Sequence, residues 1–141
     1  MRKASCIIAT LLLVIVFSAS QAGNLKSMPH PIVAANTEFI GKWEGSEQCQ
    51  AASAPVAVVV IVADGASQVF ITGIYSVQGK IRGVVKSNTI TIPRQAVEDP
   101  NFKNFMIEGS LTITSNHTSL AGVLTVLNND TRDNCTVNYH K

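Results

Sequence analysis

Short stretches of alternating polarity, each closed by a turn, recur along most of the chain and limit what it can become. They run Gly41–Gln50, Pro55–Ala63, Gln68–Tyr75, Lys80–Lys86, Thr89–Pro93, Lys103–Thr114, Thr118–Leu127 and Thr131–His140. Phe105, Ile107, Gly109, Leu111 and Ile113 fall on one face of their stretch, against Met106, Glu108, Ser110, Thr112 and Thr114 on the other. Ile90 and Ile92 oppose Thr89 and Thr91, while Cys135, Val137 and Tyr139 oppose Thr136, Asn138 and His140. A period of two is that of a strand with one face in a core. Asp64-Gly65, Gln78-Gly79, Ser87-Asn88 and Asn128-Asn129-Asp130 supply turns, and Asp99-Pro100-Asn101 begins a type I turn in the longest connection. After residue 22 no stretch has helical periodicity. The expectation is an all-β fold: an antiparallel meander of about eight strands forming a small closed or nearly closed barrel, with a β-sandwich as the alternative.

Residues 1–22 read as a signal peptide. Arg2 and Lys3 form its positive start, Ile7 to Phe17 its apolar core, and Ser20-Gln21-Ala22 a small-residue cleavage site. The apolar run is too short for a stable membrane span, and Cys6 lies on the wrong side of it for a lipid anchor. The protein is therefore expected to be secreted or periplasmic. Residues 23–38 form an extended arm, with Met28-Pro29-His30-Pro31 excluding helix. Residues 39–141 form the barrel domain.

Arg2 and Lys3 leave with the leader, so nine basic and nine acidic side chains remain in a neutral chain. With no basic run, a nucleic-acid partner has no electrostatic footprint. Cys49 and Cys135 are the cysteines of the mature chain. In an oxidising compartment a disulfide between them is the default, against two separate thiols or a metal pair. Closing the meander brings the first strand beside the last, and a disulfide needs those backbones within about 7 Å.

Two features call for explanation. Gly73, Gly83 and Gly109, with Gly45 and Gly122, fall at inward positions. Close backbone approach is the ordinary reason, and an interior hollow for an apolar ligand is the sharper one. Val56 to Ala63 is apolar on both faces, so its outer face needs cover from Ile32–Phe39, a second copy or a partner.

No catalytic set is present: no GxSxG, no phosphate loop and no metal-spaced histidines. His117 and His140 have no evident acid partner, and Glu44 and Glu47 are the one carboxylate pair considered for acid–base work. No enzyme activity, cofactor or metal is expected. The sequons at Asn116, Asn129 and Asn134 carry weight only in a eukaryotic host.

Gly41-Lys42-Trp43 resembles the Gly-x-Trp opening of lipocalin-like barrels, in which the tryptophan packs across the closed end. It is joined by Cys49, Thr89-Ile90-Thr91-Ile92-Pro93-Arg94-Gln95, Gly109-Ser110-Leu111-Thr112-Ile113 and the closing Cys135 to Lys141. Together these make Phe39 to Lys141 similar to a group of small exported bacterial β-proteins of unassigned function. The chain is shorter than lipocalins and lacks their C-terminal helix. Avidin-like barrels share the opening but use several tryptophans, where this chain has one. The resemblance supports the architecture and supplies no activity; the glycine-thinned interior makes an exported non-enzymatic barrel that carries a ligand the first expectation. Its ligand would be small and apolar, held among Trp43, Phe105, Ile107, Leu111 and Tyr139. The alternatives are an interaction or protease-inhibitor module using the N-terminal arm, with an exported protein as partner, or a structural surface protein.

Overall fold

The computed structural model describes residues 37–51 and 53–141. The leader and nearly all of the arm lie outside the described residues. Eight strands follow in order: β1 Gly41–Cys49, β2 Ser53–Ala63, β3 Gln68–Thr72, β4 Ile81–Lys86, β5 Thr89–Ala96, β6 Phe105–Ile113, β7 Ser119–Asn128 and β8 Thr131–His140. Each pairs antiparallel with the next, and β8 pairs back onto β1, giving a closed barrel. The closed form, not the sandwich, is the one adopted.

The inward residues are those the alternation selects. Trp43, Val59, Ile61, Ile71, Ile81, Ile90, Ile107, Leu111, Leu120 and Val137 are fully buried. Each aliphatic side chain taken from water in this way contributes about 1.5–3 kcal/mol. The outer face carries Lys42, Glu44, Gln48, Arg82, Lys86, Thr136 and Asn138. An apolar, filled interior is the reverse of the polar lumen of a membrane-spanning barrel. Among the described residues, no helix is long and apolar enough to cross a membrane.

Two register shifts bend the sheet, and each falls at a proline. Pro55 and Val56 stand against Ser46 alone, and Pro93 and Arg94 against Glu108 alone. A proline has no N–H to give a ladder, so a bulge is where a strand can hold one. Beyond its bulge β5 continues to Ala96, past the end at Pro93 that sequence reading assigns.

β3 is shorter than expected. It stops at Thr72, because Gly73 (φ +90°) turns the chain away and Ile74–Ser76 forms a tight turn. Gly73 itself lies against the Val58 carbonyl oxygen. A side chain at Gly45, Gly109 or Gly122 would likewise collide with a carbonyl oxygen of the adjoining strand, and one at Gly83 with Ile90. The glycines therefore mark close approach and leave no ligand hollow at these positions.

One end of the barrel is shut by its termini. The Trp43 indole N–H donates to the Phe39 carbonyl at 2.8 Å. The Lys141 ammonium lies 4.6 Å from the centre of the Trp43 ring and donates to the Glu38 carbonyl. Trp43 thus packs across the closed end, as the resemblance implies. Phe39 is buried in the core here and does not cover the outer face of β2. Val56, Val58, Val60 and Val62 on that face are exposed. Ile32 and Val33, the other covering residues considered, lie outside the described residues.

Candidate functional site

The opposite end is built differently. Here β1 ends, β2 begins, the Ile74–Ser76 turn projects, and the Val97–Asn104 connection crosses toward β6. Cys49 and Cys135 face each other directly in the β1–β8 register and are joined by a disulfide spanning 86 residues. The Cα atoms are 3.9 Å apart.

Beside the disulfide lie two buried carboxylates. Glu47 is two positions before Cys49 and Asp133 two positions before Cys135, so strand alternation turns both inward. Their residues are 2% and 6% exposed. Each is satisfied by neutral donors. Glu47 accepts the Tyr139 hydroxyl at 2.5 Å and the Tyr75 backbone N–H on both oxygens at 3.0 Å. Asp133 accepts the Tyr75 hydroxyl at 3.0 Å and the Ala51 N–H at 2.9 Å. Tyr75 therefore bridges the two carboxylates, one through its backbone and one through its ring.

That grip explains an uncommon backbone. Tyr75 and Ser76 both have positive φ, 52° and 61°, a conformation that non-glycine residues adopt only when their surroundings hold them. Glu47 supplies the acceptor that the turned-out Tyr75 N–H requires. Burial first, and then Asp133 and Glu47, push the Tyr75 hydroxyl up to about 12. Burial and the Glu47 carboxylate push Tyr139 higher still.

Aromatic rings complete the mouth. Phe102 meets Tyr75 edge-on at 6.0 Å and Phe105 at 5.3 Å between ring centres. Phe102 is placed by the turn the sequence announces: its N–H donates to the Asp99 carbonyl at 3.0 Å. The Asp99 carboxylate accepts the N–H groups of Asn101 and Gln78, which in that order hold its carboxyl below the ordinary range. The loop that carries Phe102 is thereby tied to the loop after Tyr75.

Two hollows open on either side of Tyr75. The larger, about 300 Å³, is lined by Glu47, Cys49, Ser53, Ala54, Tyr75, Ser76 and Phe102. The smaller, about 190 Å³, is lined by residues including Tyr75, Phe105, Arg132 and Asp133. Of the five residues named from the sequence, Phe105 lines the smaller hollow. Trp43, Ile107 and Leu111 are fully buried in the core, and Tyr139 reaches Glu47 beneath the mouth.

Glu44 and Glu47 do not form a pair. Glu44 lies on the outer face, bonded to Lys42, and Glu47 on the inner one. His117 sits in an exposed turn and His140 on the outer face of β8. The Asp133 carboxylate and the two sulfurs offer atoms within 4.8 Å of one another, but sulfurs bonded to each other are not thiolates. Sequence reading passed over Tyr75, Phe102 and Asp133. The phase of Asp133 with Cys135, Val137 and Tyr139 was the signal available for one of them.

No family model and no curated protein matches the sequence. Among solved structures the barrel is similar to a redesigned beta barrel, b11L5F_LGL, with 16% identity and a TM-score of 0.55 over 77% of this chain and 95% of that one. It is also similar to EF1p2_mFAP2b bound to DFHBI, with 12% identity and a TM-score of 0.58 over 77% of this chain and 97% of that one. At such identities the likeness is one of fold.

Proposed function

We propose that the protein is an exported, non-enzymatic carrier that holds a small, largely apolar ligand at the mouth of its barrel. Cleavage after Ala22 would release it as a secreted or periplasmic domain, and the disulfide suits that compartment. The observation that carries the reading is the hollow of about 300 Å³ walled by Tyr75 and Phe102 at the open end. A concave, mainly apolar site with a few polar groups is the usual form of a small-molecule pocket. The similar barrel bound to DFHBI is an instance of this architecture holding a ligand. Of the interior set expected from the sequence, Phe105 lines the smaller neighbouring hollow and packs against Phe102. Trp43, Ile107, Leu111 and Tyr139 belong to the packed core and do not line the hollow.

Native mass spectrometry of protein recovered from its exported fraction tests the reading, together with an NMR titration using benzyl alcohol as probe. The expected results are a stoichiometric small adduct that leaves on denaturation, and probe-induced shifts at Ala54, Tyr75, Ser76 and Phe102. A clean apo mass with no shifts at these residues would overturn it. Attention would then turn to the interaction-module alternative, in which residues 23–38 carry the function.

A further inference from the structure

The larger hollow has a charge pattern that narrows its ligand. Its walls are Cys49, Ser53, Ala54, Tyr75, Ser76 and Phe102, and its one ionisable carboxylate is Glu47. Among the described residues the ion pairs are Lys42–Glu44 and Arg82–Asp64. Glu47, 2% exposed, is thus met by hydroxyl and amide donors and by no cation. A buried carboxylate is normally paired with a positive group or a metal. Asp133, on the far side of Tyr75, has neutral donors as well.

From these observations we infer that the hollow takes an organic cation, a protonated or quaternary amine on an aromatic or aliphatic body, with its charge toward Glu47 and against the rings of Tyr75 and Phe102. The inference rests on the carrier reading above and specifies its ligand. Aromatic faces attract cations through their quadrupole, and more strongly where water is excluded. An anion entering the same hollow would face Glu47 with no compensating charge. A hard divalent cation needs six or more oxygen ligands, and the wall offers one carboxylate, two side-chain hydroxyls on Ser53 and Ser76, and apolar surface. The hollow has room for a group of benzylamine size.

The test compares benzylammonium, benzyl alcohol and benzoate by NMR titration of the mature, oxidised protein at neutral pH. These share a ring and near-equal size and differ in charge. Benzylammonium is expected to bind at least about tenfold tighter than benzyl alcohol, with benzoate weakest. Glu47→Gln should bring benzylammonium down to the level of benzyl alcohol. Phe102→Leu keeps an apolar wall but removes the ring, and should weaken benzylammonium several-fold more than benzyl alcohol. It carries the test even if Glu47→Gln fails to fold. Equal binding of cation and alcohol at Tyr75 and Phe102 would overturn this inference and leave the carrier reading standing. So would a cation preference unchanged in both variants. No shift from any probe would overturn both.

Discussion

Tyr139 on β8 donates its hydroxyl to Oε1 of Glu47 on β1 across a separation of 92 residues, at 2.5 Å. The bond joins the last strand to the first one layer below the disulfide. It also steadies the carboxylate that holds Tyr75 in its turned conformation. Closure of the barrel and shape of the mouth therefore depend on the same pair.

Tyr139→Phe removes one donor from a buried carboxylate and leaves the ring in place. The loss expected is about 1.5–3 kcal/mol, the range for hydrogen bonds to charged groups. Urea unfolding should show a lower midpoint at unchanged slope. An unchanged midpoint would mean that the bond adds nothing beyond what water gives the unfolded chain.

The chain has two tyrosines, and both hydroxyls titrate above the ordinary value of 10, Tyr75 at about 12 and Tyr139 higher. Folding thus favours their protonated forms. The stabilisation is complete below pH 10, the unfolded value, and is lost as pH rises through about 12, because the unfolded chain releases protons first. Native protein at pH 10.5 should show little tyrosinate absorbance near 295 nm, whereas urea-unfolded protein should show more than half. Appreciable native ionisation at that pH would contradict the burial of Tyr139 and the hydrogen bond from Tyr75 to Asp133.

The disulfide closes an 86-residue separation, for which chain entropy gives about 4–5 kcal/mol, with measured values commonly about 2–5. Intact-mass analysis after alkylation under denaturing, non-reducing conditions should find no labelled thiol at Cys49 or Cys135. Replacing both by alanine should lower stability within that range and loosen the mouth, since Cys49 lines the larger hollow. Labelling of either cysteine in exported protein would refute the staple.

Gly45→Ala should be among the costliest single changes. The added methyl would meet the Asn138 carbonyl and the Tyr139 Cα, so β1 and β8 would have to part. A loss of about 3 kcal/mol or more is expected, at the upper end of overpacking costs. Gly65→Ala is the control. Nothing lies within 4 Å there, and only the positive φ of 99° is strained, which costs about 1–3 kcal/mol. Thermal unfolding of the two variants should separate them clearly, and equal losses would refute the close-approach account.

The period of two, read along β5, β6 and β8, determined which side chains enter the core, because a strand has only two faces and water excludes the apolar one. Eight such strands with short turns left a meander, and one cysteine near each end left one disulfide. The resemblance implied Trp43 at the closed end, although the residue was also expected among the ligand-binding interior and its partners Lys141 and Phe39 were not legible.

Other features waited for the tertiary structure. Whether the sheet closed or split into a sandwich depended on the β1–β8 pairing, a contact between residues that are far apart in sequence. The bulges at Pro55 and Pro93 were hidden because local periodicity does not reveal which strand lies opposite. Alternation could place Glu47 and Asp133 inward, but it could not show that Tyr75 stands between them. That juxtaposition exists only once the barrel has brought β1, β8 and the loop after β3 to the same end. The core is a property of each strand's own pattern. The mouth is a property of loops that meet only through closure, and local sequence carries no record of that meeting.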